Sequence, residues 1–166
     1  LLRAAAQVRV TALVVSIETP PKVSIVPTGA GRPQMLDLGS IESVARAGWH
    51  PDGRLVLELV RPGGKPVVYA LSPEGRDPVA LLPEGATLRG KNLISPDGSR
   101  IVAVYASGKL MACTFATPAC RPLSGARDRD VVAGWSADGR SLFVFQREGR
   151  PVPVARLDVA SGERSV

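Results

Sequence analysis

A six-residue turn recurs in this chain, and that recurrence leaves little choice of architecture. Trp49-His50-Pro51-Asp52-Gly53-Arg54 is echoed by Ser95-Pro96-Asp97-Gly98-Ser99-Arg100, which lacks the Trp. It is echoed again by Trp135-Ser136-Ala137-Asp138-Gly139-Arg140, which lacks the Pro. Asp97 follows Asp52 by 45 residues and Asp138 follows Asp97 by 41. Self-similarity at such a period marks stacked supersecondary units: a solenoid, a propeller or an array.

Each turn lies between two runs rich in branched and apolar residues, and further Gly and Pro turns cut the chain at intervals. Ile41 to Trp49, Arg54 to Val60, Pro66 to Leu71 and Pro78 to Leu82 read as four strands in a meander. Leu88 to Ile94, Arg100 to Ala106, Leu110 to Phe115 and Cys120 to Leu123 repeat that order. So do Asp130 to Trp135, Ser141 to Gln146, Val152 to Val159 and a stub from Glu163 to Val166. Before them, Val8 to Ile17, Lys22 to Val26 and Gln34 to Leu38 give an incomplete first unit. The units run over about 1–39, 40–85, 86–126 and 127–166.

The strand after each turn decides how the units pack. Leu55, Leu57 and Leu59 fall on one face of 54–60, Val56 and Val60 on the other, and only Glu58 is polar. Ile101 to Ala106 and Leu142 to Phe145 are likewise apolar on both faces. A strand of this kind needs cover on both sides. Four-stranded antiparallel sheets stacked face to face around an axis supply it, so the expected fold is an all-β propeller with one sheet per blade. Four blades lie at the low end of closed rings, so the chain is expected to be part of a larger ring or to be open.

The turn residues Trp49, Pro51, Asp52, Gly53, Pro96, Asp97, Gly98, Trp135, Asp138 and Gly139 are read as structural. Asp accepts hydrogen bonds from backbone N–H groups just ahead, Gly takes positive φ, and Pro fixes the approach. A residue that recurs in every repeat serves the repeat.

The 21 basic and 15 acidic residues leave a net charge of +6, but the charges are scattered singly and aromatics are only 4%. That pattern argues against a nucleic-acid footprint. The apolar run from Leu1 to Ile17 is broken by Arg3, Gln7 and Arg9 and is too short to span a bilayer, so no membrane insertion is expected of these residues. It lacks an initiator Met and a cleavage site, as expected of a piece of a longer protein. Cys113 and Cys120 sit on opposite arms of an expected hairpin. They form a disulfide if the register faces them, or remain two buried thiols.

The Trp-Ser-Pro-Asp-Gly-Arg-like turn with its apolar strand, at Trp49 to Val60, Ser95 to Tyr105 and Trp135 to Phe145, resembles the PD40 repeat of TolB-like β-propellers. The Gly-His and Trp-Asp pairs of strict WD40 blades are missing. The phrases at Val26 to Gly31, Ala47 to Gly53, Trp135 to Leu142 and Arg156 to Arg164 look like the C-terminal propellers of bacterial serine/threonine protein kinases. Similar propellers also follow winged-helix regulators. The kinase resemblance implies a sensor or docking region outside the cytoplasm, with the parent anchored in the membrane. No kinase motif is present in these residues.

No reaction is named by the sequence, and no catalytic, cofactor or metal residue is assigned. His50, the sole histidine, stands where the repeat elsewhere has Ser and reads as a turn residue. One His and two Cys on different units do not make a zinc pattern, and no nucleotide-binding Gly-rich motif appears. Two charged loops, 84–91 and 127–130, join the last strand of one unit to the first of the next, which puts them on one rim of a propeller. Arg89, Lys91, Arg127 and Arg129 would there receive an acidic peptide or an acidic patch of a partner, or a small ligand. The plainer reading, which comes first, has Arg127 and Arg129 paired in water with Asp128 and Asp130, an arrangement worth little. The function expected is therefore non-catalytic recognition. The alternatives are the gating propeller of a prolyl oligopeptidase-like serine hydrolase and a free-standing periplasmic TolB-like protein.

Overall fold

The computed structural model describes residues 19–72, 74, 76–105, 107–115, 117, 119–148 and 151–166, and the backbone of 11–15. The expected strand from Val8 to Ile17 lies partly outside these residues, as do parts of the turns assigned to 72–75 and 147–150 and of the hairpin between the cysteines. Among the described residues no helix is long and apolar enough to cross a membrane.

Fourteen strands form four antiparallel meanders among the described residues. The first holds β1 (Thr11–Val15), β2 (Val23–Pro27) and β3 (Gln34–Met35). The second holds β4 (Ser43–Trp49), β5 (Leu55–Val60), β6 (Val67–Leu71) and β7 (Val79–Ala80). The third holds β8 (Arg100–Val104), β9 (Leu110–Thr114) and β10 (Cys120–Pro122). The fourth holds β11 (Val131–Trp135), β12 (Ser141–Phe145), β13 (Val154–Asp158) and β14 (Arg164–Ser165).

Packing follows the two-faced strands. Leu55, Leu57 and Leu59 of β5 join Val23, Ile25, Leu36 and Ile41 in one core cluster, between the first and second sheets. Val56, on the opposite face, joins Ile101, Val102 and neighbours in a larger cluster that continues through the third sheet to Leu142, Val144 and Leu157 of the fourth. The sheets thus stack face to face in chain order, each filling the next with period-two side chains. Burying one Leu of this kind contributes roughly 1.5–3 kcal/mol.

The innermost strand of the third sheet departs from expectation. Leu88 to Ile94 reads as a strand but forms none; it touches β8 only through bridges at Thr87–Val104 and Ile94–Ile101. Opposite these bridges β8 advances three residues while the inner segment advances seven, so 88–92 bulge out of the ladder. The missing ladder bonds are replaced sideways. The Leu88 N–H donates to Glu58 Oε2 of the second sheet at 3.3 Å, and Arg46 Nε donates to Leu88 O at 2.6 Å. On the other side the Lys91 N–H donates to Val132 O at 3.2 Å, and Trp135 Nε1 donates to Leu93 O at 3.0 Å. Gly90, at φ 131°, lies so close to Val132 O that a Cβ there would overlap it. The inner strands beside it carry smaller irregularities: register shifts by one residue at Ala45 in β4 and at Ala133 in β11.

Cys113 and Cys120 are directly opposed in the β9–β10 register and form a disulfide. Thr114 N–H donates to Ala119 O next door, so the cysteines occupy the adjacent non-hydrogen-bonded pair, where side chains stand closest.

Candidate functional site

The meander order sorts the connections onto two rims. The Asp-Gly turns and the turns entering each outermost strand lie on one; the remaining hairpins and the crossings between sheets lie on the other.

On the first rim the carboxylates of the Asp-Gly turns are consumed by their own turns. Asp52, Asp97 and Asp138 each accept a backbone N–H two residues on, from Arg54, Ser99 and Arg140, at 3.0 Å. Ser95 and Ser136 donate to Asp97 and Asp138 at 2.6 Å and accept the N–H of Arg100 and Ser141 at 2.9 Å. The Ser95 hydroxyl and then the Ser99 N–H hold the Asp97 carboxyl down to about 2. Arg54 chiefly lowers Asp52, and Ser136 chiefly lowers Asp138. Gly53, Gly98 and Gly139 take φ of 91°, 72° and 67°, the left-handed region the turn needs.

His50 replaces the serine in the first turn and does more than a serine could. Its Nδ1 lies 2.6 Å from Asp52 Oδ1, and its Nε2–H reaches the next repeat, donating to Gly98 O at 2.8 Å. The ring stacks on Phe115 at 3.9 Å, and the Arg54 guanidinium lies 4.5 Å from the same ring centre. His50 is therefore buried as a joint between the second and third sheets. Trp135 joins the third and fourth in the same way through Leu93, while Trp49 packs on the first cluster.

The opposite rim separates the four cations singled out from the sequence. Arg89 and Arg129 line one hollow of about 340 Å³, together with Val131, Gln146, Arg147 and Glu148. Lys91 lines a neighbouring cleft of about 630 Å³ between β4 and segment 88–96, whose walls include Arg46, Trp49, Asn92, Pro51 and Pro96. Arg127 lines neither; its backbone N–H caps Asp130 Oδ2 at 2.8 Å. The neighbouring carboxylates are engaged differently from the plainer sequence reading. Asp130 is buried and paired with Arg164 at 2.6 Å, and Arg129 pairs with Glu148 across 19 residues.

Several participants have no sequence signature. Arg147 and Glu148 read only as turn residues, and Arg164 gave no hint that it neutralises Asp130. Glu58 was visible as the one polar residue of β5. Only 3% exposed, it has its carboxyl pushed up by burial, against the opposing pull of the Leu88 N–H and of Arg46, whose Nε is 3.9 Å away. Among the described residues no three His, Cys, Asp or Glu come together in a group able to hold a metal ion.

No family model and no curated protein matches the sequence. Solved structures match its fold. TolB from Acinetobacter baumannii superposes with a TM-score of 0.69 at 19% identity, over 93% of this chain and 40% of that one. A TolB-like protein from Agrobacterium tumefaciens gives 0.67 at 17% identity, over 87% and 53%. A puromycin-hydrolyzing peptidase of Mycobacterium tuberculosis gives 0.66 at 18% identity, over 87% and 24%. The chain thus spans about half or less of the length of each. With strands meandering in stacked antiparallel sheets and such neighbours, the chain has the fold of a TolB-like β-propeller.

Proposed function

We propose that this chain is a recognition module: the C-terminal sensor or docking region of a bacterial signalling protein such as a serine/threonine kinase, binding an acidic partner on the rim that carries Arg89 and Arg129. The observation that carries the reading is the segment 88–92. It leaves the ladder that its counterparts in β4 and β11 keep, and it carries Arg89 and Lys91 into two adjacent hollows. Bulges that re-aim side chains concentrate at functional sites. The Cys113–Cys120 disulfide supports an oxidising compartment, as an extracytoplasmic sensor requires.

Peptidase propellers among the structural neighbours favour one second reading, a gate on a serine hydrolase. The sequence of the full-length parent separates the two. A kinase domain and a membrane helix before Leu1 support the sensor; a Gly-x-Ser-x-Gly elbow after Val166 supports the gate and overturns it. At the bench, the double charge reversal Arg89→Glu/Arg129→Glu should weaken binding of a hexaglutamate peptide at least tenfold, about 1.4 kcal/mol. Unchanged binding counts against the rim.

A further inference from the structure

We propose that Arg89, Arg129 and Arg147 form an oxyanion-binding pocket that takes one carboxylate or phosphate group, and that Glu148 occupies Arg129 until that group displaces it. The proposal rests on the recognition reading and gives it a chemistry.

Two departures from regular backbone deliver arginine to one place. Arg89 is carried by the extruded segment, held there by Gly90 against Val132 and by the Lys91 N–H on Val132 O. Arg129 occupies a position where arginine is out of place. The Asp130 N–H donates to Arg127 O at 3.2 Å, so residues 127–130 make a tight turn with Arg129 third, at φ 68°. That third position at positive φ suits Gly or Asn, and any other L residue is strained there. A long cation held at such a site points from an observed strain to a function. Gln146 Nε2 donates to Asp128 O at 2.9 Å and so fixes this turn against the end of β12, just before Arg147.

The three arginines line a hollow of about 340 Å³ whose walls include the buried Val131. Arginine presents planar forks that match the paired oxygens of carboxylate or phosphate. Of the residues lining it only Glu148 is acidic against three arginines, and it pairs with Arg129 alone, so charge is left over for a ligand. The Arg129–Glu148 pair is itself largely in water, which makes it weak and easily exchanged. An incoming oxyanion that spans Arg89, Arg129 and Arg147 gains two partners that Glu148 does not hold.

The test is calorimetric titration with inorganic phosphate and with hexaglutamate, at low ionic strength, on the wild type and three variants. Glu148→Gln should tighten phosphate binding about two- to fivefold by removing the internal competitor. Arg89→Gln and Arg129→Gly should each weaken it about tenfold or more. Arg129→Gly relieves the turn, so its melting temperature should not fall below that of the wild type; loss of binding in a chain that melts no earlier assigns Arg129 to the ligand rather than to the fold. If hexaglutamate competes with phosphate, the group comes from acidic side chains of a partner; if phosphate alone binds, it comes from a phosphate-bearing molecule. Either supports the pocket. Absence of saturable binding to both wild type and Glu148→Gln overturns it, as does weaker binding by Glu148→Gln. Hexaglutamate bound equally by all four proteins also overturns the pocket, while leaving the recognition reading to the rest of the rim.

Discussion

Glu58 shows how one buried carboxyl can be conspicuous in a sequence while its partner stays hidden. In the sequence it interrupts an apolar strand, and nothing there says what it faces, because its partner is a backbone N–H in a segment that reads as a strand and is not one. Its carboxyl is pushed above the usual range by burial. The charged form is therefore disfavoured on folding, and Glu58 lowers stability as pH rises from about 4.3, the usual unfolded value, through its raised folded value. Glu58→Gln keeps an acceptor for the Leu88 N–H and drops the charge. The variant should be at least as stable as wild type at pH 7, and the difference should shrink towards zero below about pH 4. Thermal melts of both proteins from pH 4 to 7 check this; a variant that melts earlier at pH 7 would show that Arg46 outweighs the desolvation. Glu58→Leu instead strands the N–H, at a cost of about 1–3 kcal/mol.

At the scale of the element, strands with two apolar faces were legible, as were the inner strands β4 and β11, whereas the inner segment of the third sheet was not. Runs such as Leu55–Val60 declare themselves because the stack demands hydrophobic residues at every position. Leu88–Ile94 has the same ends but contains Arg-Gly-Lys-Asn, with Gly90 and Asn92 both at positive φ. Those two residues are the signal that the ladder breaks there; what stabilises the break comes from neighbouring sheets and cannot be read locally. Likewise topology puts Arg89, Arg129, Arg147 and Glu148 on one rim, but that these four share one hollow follows only from tertiary packing. The β9–β10 hairpin offers a test of its own. Replacing Cys113 and Cys120 by Ser together removes a short cross-link from the unfolded chain, so unfolding free energy should fall by about 2 kcal/mol. Denaturant titration of the double variant against wild type measures it, and equal stability would mean the hydrogen-bonded register alone holds β10.

Across the whole molecule, protection should follow the stack. β5 and β8 are covered on both faces, whereas β3 and β7 are two-residue strands with exposed side chains. In native-state hydrogen exchange the amides of β5 and β8 should be the slowest and those of β3 and β7 among the fastest. Amides of β7 as slow as those of β5 would contradict that order. The sideways bonds of segment 88–93 carry a further consequence for how such a protein could be rebuilt. Sheets joined only by side chains are interchangeable parts, because a foreign neighbour can be repacked. Here the third sheet is also joined by main chain, Lys91 to Val132, at a point where Gly90 admits no side chain. The smallest cassette that can be duplicated, transplanted or recombined without breaking this main-chain fit is therefore the third and fourth sheets together, not a single repeat.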